Sequence, residues 1–183
     1  VMPSTLDRVV LVAEHKDGTT TIGENNIPQT HRLIERVYLK PQKPQATPDA
    51  LKAIKEAQVV VLGPGSLYTS IIPNLLIDEI TEAIVKSDAL KVYVCNVMTQ
   101  PGETDGYSAS DHLGALLAHS HPKVVDYAIL NTATVPKGIL SRYSQQGSHL
   151  VLNDRKKIEG MGYRVIEDDF VFVEDMLVRH DHL

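Results

Sequence analysis

An unbroken apolar run, Val59-Val60-Val61-Leu62, ends directly in the turn Gly63-Pro64-Gly65-Ser66. β-Branched residues without polar alternation predict a strand buried on both faces, which is how the inner strands of a parallel sheet read. Glycines at its end let the backbone take positive φ and present N–H groups with no Cβ in the way. Ser66, Tyr68, Thr69 and Ser70 add hydroxyl donors. Helix entry just beyond would aim further N–H groups, and about half a positive charge, at a bound anion. Pro73 is tolerated only in a first helical turn, so either a helix begins near Ile72 or a separate tight turn spans Ser66 to Ser70. The same residues would also serve as a plain strand-to-helix connection. Their spacing matches neither the dinucleotide nor the P-loop pattern, and the P-loop lysine is missing.

The surrounding rhythm fixes the fold class. "RVVLVAEHKDGTTTIG" predicts a hairpin around Asp17-Gly18, and "ERVYLKP" a third short strand. Thr47 and Pro48 suit the cap and first position of a helix carrying Leu51, Ile54 and Ala57. Then come a strand at 59–62, a helix at 75–85, a strand at 92–97, a helix at 113–118 and a strand at 127–130. These make two βαβ units. The expectation is one α/β domain over 1–183: a three-layer, Rossmann-like parallel sheet with helices on both faces and an N-terminal β-hairpin. The tail predicts a basic helix broken at Gly160 and Gly162, then one or two strands.

Composition narrows the function classes. A net charge of −5 argues against a nucleic-acid footprint. No apolar run approaches the roughly 20 residues that span a bilayer, and the opening ten residues show neither the basic nor the apolar region of a signal peptide. The single cysteine, Cys95, can form no internal disulfide, which suits a reducing compartment. The expectation is a soluble, cytoplasmic protein.

A second loop, "CNVMTQPGETDGYSASDHL", follows the next strand and is long and polar for a connector. In open parallel sheets ligands sit beyond the carboxyl ends of strands, so both loops share the expected ligand edge. Asn96, Thr99, Gln100 and Thr104 offer amide and hydroxyl groups suited to a base or sugar, and Ser108 to Asp111 fits a capping box. Glu103 and Asp105 are either solvated loop carboxylates or candidates to hold Mg²⁺ or move a proton. The alternating pairs His119/His121 and His180/His182 lack helical ligand spacing and give no metal prediction. A dinucleotide-dependent oxidoreductase is disfavoured, because no G-x-G-x-x-G turn with a following acid is present.

"VVVLGPGSLYTSIIPNLL" followed by "KVYVCNVMTQPGETDGYSASDH", with "TIGENNI" upstream and "VRHD" at the end, closely resembles the YvcK group, the gluconeogenesis factors of bacteria, within the wider set related to the 2-phospho-L-lactate transferase CofD. The resemblance spans nearly the whole chain but not the family's opening strand and "GGGTG" loop, so it implies a carboxy-terminal portion of a longer protein. It further implies a nucleotide site lined by Gly63, Gly65, Ser66, Leu67, Tyr68, Thr69 and Ser70, by Asn96, Thr99, Gln100 and Thr104, and by Arg179 as a cation for phosphate. For the YvcK branch the implied ligand is a UDP-sugar such as UDP-N-acetylglucosamine and the implied role is regulatory, in cell-wall precursor supply and cell shape. No cofactor is then required, and a regulatory protein partner or a homo-oligomer would fit. For the transferase branch the implication is a guanine nucleotide with Mg²⁺. Carboxylates converging on the phosphates would mark the second.

Overall fold

The computed structural model describes residues 1–174 and 177–180, with the backbone alone for 172–174, 177, 179 and 180. The chain opens with an antiparallel sheet in which β1 (Val10–His15) lies between β2 (Thr20–Ile22) and β3 (Ile34–Lys40). Gly18, at φ 80°, and the Asp17 carboxylate, which accepts from the Thr19 N–H at 2.9 Å, close the hairpin. Helix α1 (Pro48–Glu56) starts as predicted, with the Thr47 hydroxyl accepting from the Ala50 N–H.

A four-stranded parallel sheet follows in chain order: β4 (Val59–Leu62), β5 (Leu90–Val94), β6 (Tyr127–Asn131) and β7 (Arg164–Asp168). Its register sets Leu62 beside Tyr93, Tyr93 beside Ala128 and Ala128 beside Val165. Between the strands run α2 (Ile72–Leu75), α3 (Asp78–Lys86), α4 (Ala109–Ala118), α5 (Lys137–Gln145) and α6 (Arg155–Gly160). Of these, α5 has no counterpart in the sequence reading, since "KGILSRYSQ" carries too few apolar residues to show a helical stripe. The chain then forms a two-stranded ribbon, β8 (Val171–Glu174) and β9 (Leu177–His180).

The layers differ from the expected pair of helical faces. Sequential strand order with right-handed crossovers carries successive connections over the same side of the sheet. On that side one core cluster joins Leu62, Tyr93 and Leu130 of the parallel sheet to Leu67, Ile72, Leu113 and Leu116, and on to Leu11, Val37 and Leu39 of the antiparallel sheet. The Val37 N–H donates to Nε2 of His119, at the end of α4, at 3.0 Å. The third layer is therefore the antiparallel sheet, with helices between two sheets. The opposite face of the parallel sheet leaves Val59 49%, Val61 56% and Leu90 43% exposed, so β4 is a one-sided edge strand among the described residues, not a strand buried on both faces.

Candidate functional site

Leu62 ends β4 at the turn. Gly63 takes φ 88° and packs so closely that a Cβ there would lie 2.9 Å from the Val94 carbonyl oxygen. Gly65 has ordinary φ, and a Cβ on it would meet only Ile71 and Ser70 side-chain atoms, at 3.7 and 3.8 Å. The glycine this turn requires is thus Gly63. Beyond it the helix begins at Ile72, with Pro73 in its first turn, and the preceding Leu67–Ile71 form a wide helical turn rather than a tight one.

The second loop lies against the first. The Asn96 side chain donates to the Gly65 carbonyl at 2.9 Å and accepts from the Gly65 N–H at 3.3 Å. Gln100 Nε2 donates to Ser66 Oγ at 2.7 Å. Glu103 reaches furthest: Oε2 accepts from the Tyr68 N–H at 3.1 Å, and Oε1 from Thr69 Oγ1 at 2.8 Å. Burial pushes the Glu103 carboxyl above its ordinary range, against the pull of those hydrogen bonds. Donors that looked free in the sequence, on Gly65, Tyr68 and Thr69, are thus engaged within the protein. Among the described residues, the N–H groups of Ser66 and Leu67 make no such bond.

A third segment completes the wall. Residues 23–30 lead from β2 to β3, and Gly102, at φ 81°, sits so close to them that a Cβ would overlap the Pro28 carbonyl oxygen. The three segments enclose an open pocket of about 540 Å³ lined by Glu24, Ser66, Thr69, Ser70, Gln100 and Glu103, among others. Glu24 stands in "TIGENNI", where only the family pattern, and no local spacing, could have flagged it.

Other expected site residues serve as framework. Leu67 and Thr104 are fully buried, and Tyr68 and Thr99 nearly so. Thr104 Oγ1 accepts from the Gln100 N–H, and the Thr99 backbone and hydroxyl pair with His149. Tyr68 turns away from the pocket, its hydroxyl 2.7 Å from that of Tyr107 and its ring edge-on to His119. Burial, then the Tyr107 hydrogen bond, raises the Tyr68 phenol above its ordinary value. Asp105 accepts from the Gly102 N–H at 2.7 Å and does not line the 540 Å³ pocket. Arg179 lies opposite Phe172 in the terminal ribbon, and its side chain is outside the described residues.

A second cavity of about 440 Å³ opens at the same sheet edge, beyond β5 and β6, lined by Cys95, Asn96, Asn131, Thr134, Leu152 and Asn153, among others. Of these the sequence reading names only Asn96 as a site residue, and the segment around Leu150 is out of its reach because it meets this edge only through long-range pairing with Val97 and Met98. Burial pushes the Cys95 thiol up to about 12, so it stays protonated at neutral pH and offers no thiolate. Among the described residues no three His, Cys, Asp or Glu side chains gather as a metal cluster, and no helix is long and apolar enough to cross a membrane.

The comparison with known families decides the lineage. The family model described as 2-phospho-L-lactate transferase CofD matches residues 1–171. The chain belongs to the CofD family. Within the CofD family it is 41% identical, over 99% of its length, to the gluconeogenesis factor of Bacillus subtilis, of which it covers 57%. A relative from Clostridium acetobutylicum is 45% identical over 99% of this chain and 41% of its own. A solved structure of a UPF0052 family protein from Bacillus halodurans superposes with a TM-score of 0.96 at 42% identity, covering 99% of this chain and 59% of that one. The chain thus spans roughly half the length of the curated relatives it matches.

Proposed function

We propose that this CofD-family chain forms part of a cytoplasmic nucleotide-sugar-binding regulator, with UDP-N-acetylglucosamine as the ligand type, serving gluconeogenic growth, cell-wall precursor supply and cell shape. The observation that carries this reading is how the loop carboxylates are used. Glu103 has both oxygens committed to Tyr68 and Thr69, and Asp105 caps Gly102, so the two do not converge on a common point as ligands of a catalytic metal would. What remains around the pocket is the Glu24 carboxylate with hydroxyl, amide and backbone N–H groups, a lining that supports recognition of a sugar or a diphosphate. The gluconeogenesis-factor names of the relatives agree with such a role. In this reading Arg179 adds a cation for phosphate, through the two-point fork that suits phosphate oxygens.

Titration of the protein with UDP-N-acetylglucosamine, GDP and NAD, with and without Mg²⁺, tests the proposal. The expected result is saturable binding of the UDP-sugar, independent of Mg²⁺ and with the nucleotide recovered intact. Selective GDP binding with Mg²⁺-dependent turnover would establish the transferase instead.

A further inference from the structure

The pocket is anionic where an anion is expected. Glu24 and Glu103 both line it, and among the described residues no lysine, arginine or histidine does. The Glu103 carboxylate sits at the entrance to the wide turn Leu67–Ile71, on donors that a phosphate would otherwise use. Its oxygens accept from the Tyr68 N–H and the Thr69 hydroxyl, with the Thr69 N–H also turned to the carboxylate. The titratable groups around it are Glu24 across the pocket, Asp105 two residues on, the Tyr68 phenol, Glu35 beyond that phenol, and His119 edge-on to the Tyr68 ring, whose imidazole burial holds below its ordinary range.

A diphosphate seated in this pocket would face a buried carboxylate at close range. Two like charges sharing a poorly solvated site disfavour each other's ionisation, and the cheaper to neutralise is the one already desolvated. The local geometry accepts that change without rearrangement. Oε2 can keep the Tyr68 N–H, while a proton placed on Oε1 is donated to Thr69 Oγ1, whose hydroxyl rotates from donor to acceptor. The turn is held in both protonation states. We infer that Glu103 is a proton-linked latch on this pocket: an anionic ligand enters together with one proton, which is taken from solvent by the Glu103 carboxyl and returned when the ligand leaves.

The inference rests on the reading of this pocket as a diphosphate site. Its consequence is regulatory, since occupancy at fixed ligand concentration falls as pH rises. The rival ways to offset the charge are a divalent cation that arrives with the phosphates and the Arg179 guanidinium that the same reading assigns to them.

Calorimetric titration of the full chain with UDP-N-acetylglucosamine, in EDTA and at pH 6, 7 and 8, distinguishes them when each pH is run in two buffers of different ionisation enthalpy. The expected result is net proton uptake on binding, of up to one proton, with affinity falling by up to about tenfold per pH unit across the range where uptake is seen. Glu103→Gln, which keeps an acceptor for Tyr68, should abolish the uptake and bind more tightly than the unaltered protein at pH 8. No proton exchange, uptake that persists in Glu103→Gln, or binding that requires Mg²⁺ without a proton would each overturn the latch. The proton count on the unaltered protein decides the matter even where the variant does not fold. Inorganic pyrophosphate is the control ligand. If it binds with Glu103-dependent uptake while the UDP-sugar does not bind, the nucleotide-sugar reading fails and the latch stands. If neither binds, both fall.

Discussion

The two loops at the carboxyl edge of the parallel sheet are built on different principles. The turn from Gly63 to Ile71 is shaped by its backbone: a left-handed glycine under the Val94 carbonyl, then a wide helical turn whose donors need acceptors from elsewhere. The loop from Asn96 to Tyr107 is shaped by its side chains. Thr104 and Asp105 bond its own backbone, Thr99 ties it to His149, and Asn96, Gln100 and Glu103 reach out to the turn. The first loop therefore supplies surface and the second supplies order. A glycine turn with hydroxyls does not make an anion site until it is known which of its donors the protein has already taken.

Substitutions at four positions test that division, beginning with the largest effect. Gly102→Ala puts a methyl group into the Pro28 backbone and strains a positive φ, so it should cost about 3–5 kcal/mol of stability by separating the second loop from residues 23–30. Thermal and urea melts would read it, and an unchanged midpoint would mean that these segments are not in fixed contact. Gly63→Ala combines a left-handed backbone with a 2.9 Å approach to a carbonyl and should cost about 2–3 kcal/mol. Glu103→Ala leaves the Tyr68 N–H without its acceptor in a buried place and should cost about 1–3 kcal/mol, whereas Glu103→Gln should fall within about 1 kcal/mol of the unaltered protein. Equal losses for the Ala and Gln variants would show that charge, and not hydrogen bonding, orders the turn. Gly65→Ala is the contrast to Gly63, with ordinary φ and room for a methyl group, and should shift stability by no more than about 0.5 kcal/mol. A large loss at Gly65 would reverse the assignment of the two glycines.

Much of the scaffold is legible along the chain because the forces that set it are local. Asp17-Gly18 closes a hairpin, Thr47-Pro48 starts α1, Ser108 and Asp111 form the capping box of α4, and the apolar run at 59–62 is a parallel strand. The two loops lie together at one sheet edge, as consecutive parallel strands require. The 147–153 segment and the 23–30 wall are not legible, because they reach the site through contacts made far away in sequence.

By itself, then, the sequence determined the class of fold, the edge where the candidate site lies and the residues that cap α1 and α4, since each of these depends on neighbours within a few positions. Only the tertiary structure decided how the layers stack, with helices between two sheets, and that Gly63 rather than Gly65 is the constrained glycine. It also decided that Glu103 stands on the donors of the turn. The physical reason is common to all three. Burial, close approach and desolvation are properties of what lies across a space, and a single chain read in order does not contain the distance from Gly63 to Val94 or from Glu103 to Tyr68.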